Sequence, residues 1–214
     1  MDEIIIIGAR GLGKEVAYYI MNNNKLNPLY KIIGFIDDTE GFIGKEIIYG
    51  LKVIGNINSL LDQTIKVKNI CIAISSNNGR LSVYEKIKHL GLFYPNIIDS
   101  SVNFDSSNTV GFGNIIAHHC MLTCNITLGN FNILNGSVGV GHDTQVGDFN
   151  YFGPRTTISG NIKMGDLNTI HMQSSLLEKI SIGNRNTVNL HSSLFKSVKD
   201  DGVYFGVPAM RQRF

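Results

Sequence analysis

The sequence predicts an α/β N-terminal domain with a small parallel sheet, followed by a parallel β-helix of hexapeptide repeats. Three observations carry that expectation. Glycines recur with an 18-residue period in the second half, an apolar residue stands at every sixth position there, and strand–helix alternation is confined to the first third.

The repeat is the stronger signal. The chain has 23 glycines against four prolines. An apolar residue followed by glycine recurs at Val110-Gly111, Leu128-Gly129, Val146-Gly147, Met164-Gly165 and Ile182-Gly183. Stepping by six from Val110 gives Ile116, Leu122, Leu128, Leu134, Val140, Val146, Phe152, Ile158, Met164, Ile170, Leu176, Ile182, Val188 and Leu194, all apolar. Backward steps add Phe104 and Ile98. A helix repeats its apolar stripe at about 3.6 residues, so a period of six excludes one. The period fits short parallel strands, three to a coil. Corners then need small residues or residues that tolerate left-handed backbone, and the glycine column is expected to mark a corner. Asn114, Asn132, Asn150, Asn168 and Asn186 form a second 18-residue column. Stacked asparagines can hydrogen-bond from coil to coil. The matching columns on the other faces, Cys120, Val138, Thr156, Ser174, Ser192 and Ile126, Thr144, Ile162, Ile180, are mostly small or β-branched.

In the first third, Glu3–Ile7 reads as a buried strand, then the turn Gly8-Ala9-Arg10-Gly11-Leu12-Gly13, then a helix from Lys14 to Asn23. Tyr30–Ile36 is a second strand ending at Asp37-Asp38. Lys68–Ser75 is another, and Asn77-Asn78-Gly79-Arg80 opens a helix to about Leu90. Such alternation implies a parallel sheet. The expected domains are 1–95, 96–198 and a C-terminal segment 199–214.

Composition excludes several classes. A net charge of +2 supports neither a nucleic-acid nor a membrane-surface partner. Hydrophobic content of 43% with 17% charge describes a soluble, core-forming chain. Three cysteines make no disulfide framework, so a reduced cytoplasmic setting is expected. No apolar run approaches the ~20 residues of a membrane span, and Met1–Ile7 reads as a strand rather than a signal peptide.

Several residues are candidates for chemistry. The turn at Gly8–Gly13 offers backbone N–H groups to a phosphate. Its glycines are spaced G-x-x-G-x-G, not as the dinucleotide fingerprint, and leave a nucleotide site and a plain tight turn both open. His142 stands two residues past the inward Val140, with Asp143 beside it to orient an imidazole. A general base and a surface histidine, one of six, are both open. Gly160 lies 18 residues after His142. Since adjacent strands sit ~4.8 Å apart, its backbone is expected beside His142, as an amide donor or as a corner glycine. His118, His119, His171 and His191 form no metal constellation in this register, and consecutive His118 and His119 should point apart on a strand. Cys120 falls in an inward column and is expected in the core. Cys124 shares the His142 column one coil earlier.

Six segments carry a resemblance over the whole chain: IIIIGARGLGKEVA at 4–17, GFIDD at 34–38, IAISSNNGR at 72–80, LNGSVGVGHDTQVGDF at 134–149, TISGNIKMG at 157–165 and VYFGVPAM at 203–210. With them the chain resembles the sialic acid O-acetyltransferase type of sugar acyltransferases. That group includes N-acetyltransferases of nucleotide-linked 4-amino-6-deoxysugars, such as the bacillosamine-pathway enzyme.

The resemblance implies a left-handed β-helix, a Rossmann-like nucleotide-sugar-binding domain over 1–95, acetyl-CoA as co-substrate, no metal, and a homotrimer. It implies His142 as general base with Asp143, Gly160 as oxyanion donor, and Asn135 near the acceptor amine. Tyr151 replaces a second histidine of many relatives. Tyr151, Gly160 and Pro208 are the implied acetyl-CoA contacts, with Gly206-Val207-Pro208-Ala209 closing over CoA and Lys196, Lys199 and Arg211 near its phosphates. Gly8, Arg10, Gly11, Leu12, Gly13, Asp37 and Asp38 are the implied nucleotide-sugar contacts, Asp37 and Asp38 also reading as turn and capping residues. Ile170-His171-Met172-Gln173 departs from the usual small residues. The implied activity is N-acetylation of a nucleotide-linked amino-deoxysugar, a 4-amino-4,6-dideoxyhexose for surface glycan. O-acetylation of sialic acid or a related nonulosonate, and a non-catalytic trimeric binding protein, are the alternatives.

Overall fold

A computed structural model describes residues 1–212. The chain forms two compact units, Met1–Asp99 and the residues from Ser100 on.

The first unit contains β1 (Asp2–Ile7), α1 (Gly11–Asn24), β2 (Tyr30–Ile36), β3 (Glu46–Ile48), β4 (Leu51–Gly55), α2 (Ile57–Leu61), β5 (Asn69–Ile72) and α3 (Asn77–Ile87). The sheet order is β3-β4-β2-β1-β5. All pairs are parallel except β3 with β4. Ile4 to Ile7 of β1 are buried, as expected of a central strand covered on both faces. The chain runs from β1 outward through β2 to β4, then returns to β1's other edge as β5. The carboxyl ends of β1 and β5 therefore flank a topological switch point. The β3–β4 hairpin has no counterpart in the sequence reading. Its turn residues Tyr49 and Gly50 both have positive φ, 54° and 75°. Tyr-Gly is a weaker hairpin signal than Asn-Gly.

The second unit is a stack of two-residue strands on three faces. One face holds Thr109–Val110, Thr127–Leu128, Gln145–Val146, Lys163–Met164 and Ser181–Ile182. The next runs through Ile115–Ile116, Ile133–Leu134, Tyr151–Phe152, Thr169–Ile170 and Thr187–Val188. The third holds Met121–Leu122, Gly139–Val140, Thr157–Ile158, Ser175–Leu176 and Ser193–Leu194. Each strand pairs in parallel with the strand 18 residues on, as Leu128 with Val146. Every inward residue from Ile116 to Leu194 is buried. Phe104 is not: it is 41% exposed, because its repeat has a paired coil on one side only, through Asn103 and Met121.

The asparagine column forms the expected ladder. Asn132, Asn150, Asn168 and Asn186 each donate a backbone N–H to the side-chain oxygen of the asparagine one coil earlier, at 2.8–2.9 Å. Gly202 N–H ends the ladder on Asn186 Oδ1 at 2.9 Å. These buried amides could not otherwise be satisfied in an apolar prism.

The glycine column does not turn the corners. Positive φ falls instead on every sixth residue from Gly113, through His119, Asn125, Phe131, Ser137 and Asp143 to His191, mostly non-glycine. The periodic glycines answer a close approach. A Cβ on Gly129 would lie 2.6 Å from Gly147 O and would collide with Asp148 Oδ1. That oxygen accepts the Asn130 N–H at 2.6 Å. Asp166 Oδ1 accepts the Asp148 N–H in the same way, and Asn184 the Asp166 N–H.

The last coil is two residues short: Ile182 bridges Val198, and Thr187 pairs with Val203. Val203–Phe205 then turns back through Gly206–Ala209 into the antiparallel strand Met210–Arg211.

Candidate active site

After the inward Val140 the chain turns a corner through Gly141, His142 and Asp143, whose φ is 57°. Thr144 then buries its side chain. The corner throws the His142 and Asp143 side chains outward, 55% and 44% exposed. His142 Nδ1 lies 2.7 Å from Asp143 Oδ2. The carboxylate fixes the proton on Nδ1, which leaves the Nε2 lone pair available as a base. Asp143 Oδ1 accepts a second bond, from Asn125 Nδ2 one coil earlier. The bond from His142 and then that from Asn125 hold the Asp143 carboxyl below the ordinary carboxylate range.

Gly160 stands against the ring. A Cβ on it would be 2.8 Å from both Cε1 and Nε2 of His142. A Cβ on Gly141 would be 2.6 Å from Gly160 N. Two bare Cα atoms thus let an imidazole edge and a backbone amide approach each other closely. Among the described residues no acceptor takes the Gly160 N–H. Asn161 N–H donates to the His142 carbonyl at 2.8 Å and holds the two coils in step. A base beside an unspent backbone donor is what transfer to a thioester carbonyl requires.

Asn135 and Tyr151 form a separate group. Asn135 Nδ2 donates to Tyr151 Oη at 3.4 Å, and its Oδ1 accepts the Gly136 N–H at 2.8 Å. Asn135 lies at the corner before the strand Gly139–Val140, and His142 at the corner after it. Within one chain these groups stand at opposite edges of one face. His118 and His119 also occupy a corner rather than a strand. The positive φ of His119 breaks the strand alternation, and the two rings meet edge to face at 5.5 Å. Cys120 is buried and Cys124 exposed. Among the described residues no group of three or more His, Cys, Asp or Glu could hold a metal ion. Pro208 lies in the turn that covers Ser193: Ala209 N–H donates to Ser193 O at 2.8 Å. Lys196 and Lys199 are exposed, and the Arg211 guanidinium donates to Asp201 O at 2.9 Å.

In the first unit the glycines of the turn differ in kind. A Cβ on Gly8, whose φ is 103°, would fall 2.6 Å from Ala73 O, and one on Gly13 would collide with Gly8 O. Both are demanded by packing. Gly11 has nothing within 4 Å of such a Cβ. The N-cap residue Arg10 makes no side-chain cap bond, so the first amides of α1 are open to an anion. Arg10 reaches Thr39 Oγ1 at 3.4 Å and lies over the Phe42 ring at 6.0 Å, while Leu12 is half-buried. Asp37 braces the turn: it accepts Ala9 N–H at 2.8 Å and Thr39 N–H at 2.9 Å. Partial burial alone would raise its carboxyl, but the bonds from Thr39 and Ala9 and the charge of Arg10 outweigh it and hold it below its ordinary value. Asp38 accepts the Ile57 N–H at 2.8 Å, at the start of α2.

Sequence reasoning missed three residues here. Gly141 lies outside the periodic glycine column. Asn125 sits 18 residues before Asp143, so the period could have found it. Arg80, 1% exposed, donates to Ile74 O, Ser75 O and Asn77 Oδ1, each at 2.8 Å. It orders the loop after β5, and no periodic pattern announces it.

A parallel α/β unit followed by a three-faced prism of hexapeptide strands is the fold that this chain shares with solved acetyltransferase structures. Residues 3–87 match the family model of the PglD N-terminal domain. Among solved structures, perosamine N-acetyltransferase from Caulobacter crescentus, in complex with CoA and GDP-perosamine, is 19% identical, with a TM-score of 0.90 over 99% of this chain and 97% of that one. The acetyltransferase domain of PglB from Neisseria gonorrhoeae, in complex with acetyl coenzyme A, is 23% identical, with a TM-score of 0.89 over 99% of each chain. WeeI from Acinetobacter baumannii is 24% identical, with a TM-score of 0.85 over 98% of this chain and 99% of that one. No curated protein sequence matches the chain significantly. Among the described residues no helix is long and apolar enough to cross a membrane.

Proposed function

We propose that the chain is an acetyl-CoA-dependent N-acetyltransferase acting on the amino group of a nucleotide-linked amino-deoxysugar, a 4-amino-4,6-dideoxyhexose for surface glycan, in the cytoplasm. One observation carries the reading. His142 is tied through Nδ1 to Asp143 and presents Nε2 beside the unspent amide of Gly160. The sugar amine attacks the thioester carbonyl carbon, so that a C–N bond forms as the C–S bond breaks. His142 Nε2 takes the amine proton and returns it to the departing CoA thiolate, while the Gly160 N–H stabilises the oxyanion. Asp143 holds the ring in the required tautomer.

The neighbours that bind CoA and GDP-perosamine support this substrate class. Gly11 and the uncapped start of α1 are the groups proposed to meet the nucleotide phosphates, with Gly8, Arg10, Leu12, Gly13, Asp37 and Asp38 shaping that site. The proposed division is 1–95 for the nucleotide sugar, 96–198 for acyl transfer and 199–214 closing on CoA through Pro208. A homotrimer is part of the proposal: Asn135 and Tyr151 lie at the far edge of the His142 face, so a site that uses both groups draws them from two copies.

The test is acetyl transfer from acetyl-CoA to UDP-, dTDP- and GDP-linked 4-amino sugars, with free sialic acid as the competing acceptor and His142→Ala as the control. Turnover of an amino sugar that His142→Ala loses is expected. Turnover near the wild-type rate in His142→Ala sinks the base assignment, and transfer to sialic acid alone sinks the substrate.

A further inference from the structure

We propose that Asn125 is a positioning residue for the His142–Asp143 pair, acting from the preceding coil. The inference rests on the reading of His142 as general base. The two Asp143 oxygens are divided between two donors: Oδ2 meets His142 Nδ1 at 2.7 Å, and Oδ1 accepts from Asn125 Nδ2. A carboxylate bound at one oxygen only is free to turn about its side-chain torsions, and the imidazole turns with it. The second donor removes that freedom, as the outer partners of a ligating histidine fix its ring.

Asn125 is itself held. Its φ is 56°, the left-handed corner conformation that asparagine tolerates better than most residues. Its backbone N–H donates to Ser107 Oγ at 2.8 Å, and Ser107 Oγ donates in turn to Asp105. The side chain therefore starts from a braced corner and reaches one coil up. The coil register places Asn125 under Asp143, as it places Cys124 under His142, whose chain Asp143 N–H grips through Cys124 O at 3.2 Å. The support is built into the stack and does not depend on bound substrate.

Two variants of the full-length protein separate this role from a structural one. Asn125→Ala removes the donor without adding charge. Asn125→Asp removes it while keeping the size and corner tolerance of asparagine. With the amino sugar that the wild type turns over, kcat is expected to fall about five- to tenfold in Asn125→Ala, the value of one hydrogen bond, and at least as far in Asn125→Asp, whose carboxylate also repels Asp143, with KM for both substrates unchanged within about twofold. In spectra of the protein labelled with nitrogen-15 histidine, the His142 Nδ1–H resonance, assigned by its loss in His142→Ala, is expected to broaden in both variants. Wild-type kcat and an unchanged resonance overturn the proposal. So does a rise in KM that accounts for the whole loss, since Asn125 would then touch substrate. If the wild type transfers no acetyl group, or His142→Ala stays active, the function proposed above fails. The resonance then still decides whether Asn125 holds the pair.

Discussion

A methyl group on Gly141 would stand 2.6 Å from the amide nitrogen of Gly160, on the next coil. The two glycines leave His142 and that amide side by side with no side chain between them, and they have different tolerances.

At Gly160 the conflict is with the far end of an exposed imidazole, 2.8 Å away, which can yield by straining its tie to Asp143 without moving backbone. Gly160→Ala is expected to keep the fold, with Tm within about 4 °C of wild type, the shift that roughly 1 kcal/mol gives a chain of this size. Activity should fall about a hundredfold, the lower end of what a general base supplies, because the imidazole is displaced while the backbone N–H stays. Thermal unfolding and kcat/KM check the pair, and full activity would show that His142 does not need a bare Cα beside it. Gly141→Ala meets backbone instead and should lose stability as well.

The glycines of the repeat and the glycine of the helix start should respond oppositely to alanine. Gly147→Ala brings a Cβ to 2.9 Å from Gly165 backbone and into Asp166 Oδ1, an overpacking that costs about 1–3 kcal/mol. Gly11→Ala meets open space and should stabilise by up to about 1 kcal/mol, while weakening nucleotide-sugar binding if that surface faces phosphate. Urea unfolding and calorimetric titration of the two variants read both effects. Equal stability changes would refute the close-approach account.

Asn150 Oδ1 accepts both the backbone and the side-chain amide of Asn168, at 2.8 and 3.0 Å. Asn150→Ala takes the acceptor from the buried Asn168 N–H, at about 1–3 kcal/mol, and one bond from its side-chain amide, which keeps Gly183 O at 2.9 Å, at about 1 kcal/mol more. A loss of roughly 2–5 kcal/mol in urea unfolding is expected, whereas a loss below about 0.5 kcal/mol would make the ladder ornamental. Asn150→Thr should recover part, because Thr144 and Thr156 fill the matching buried position on the other faces.

Asp37 gives the first unit a pH dependence of definite sign. Its folded pKa lies below its ordinary value. The stability it contributes is therefore present above the unfolded pKa of about 4 and is lost as pH falls through the folded value. Wild-type Tm should drop more than that of Asp37→Asn between pH 5 and pH 2.5, and the variant should be the weaker at pH 7. Parallel pH curves would show that the Ala9–Asp37 tie carries no stability.

The prism was legible because its cause is local and repeated: one inward residue in six cannot be hidden from a periodicity count. The reason for the glycines was not. A corner and a close approach both select glycine, and only φ tells them apart. The proposed general base stood out as His-Asp after an inward valine. Of its surroundings, Gly160 could be placed by the 18-residue step, whereas Asn125 bonds Asp143 from the preceding coil and Gly141 looks like any small residue. In the first unit, a phosphate turn and a plain tight turn were both open at Gly8–Gly13, and the close approaches of Gly8 to Ala73 and of Gly13 to Gly8 are invisible to spacing.

The short last coil has a consequence for association. A stack of parallel strands ends in rows of unpaired amides and carbonyls on which another chain could continue the pattern. Here Val198 meets the edge at Ile182, Gly206 and Ala209 occupy Ser193, and Met210–Arg211 runs antiparallel beyond Tyr204. The two-residue shortfall takes the final turn out of phase with any further 18-residue coil. That end of the stack thereby offers no template on which a further 18-residue coil could continue.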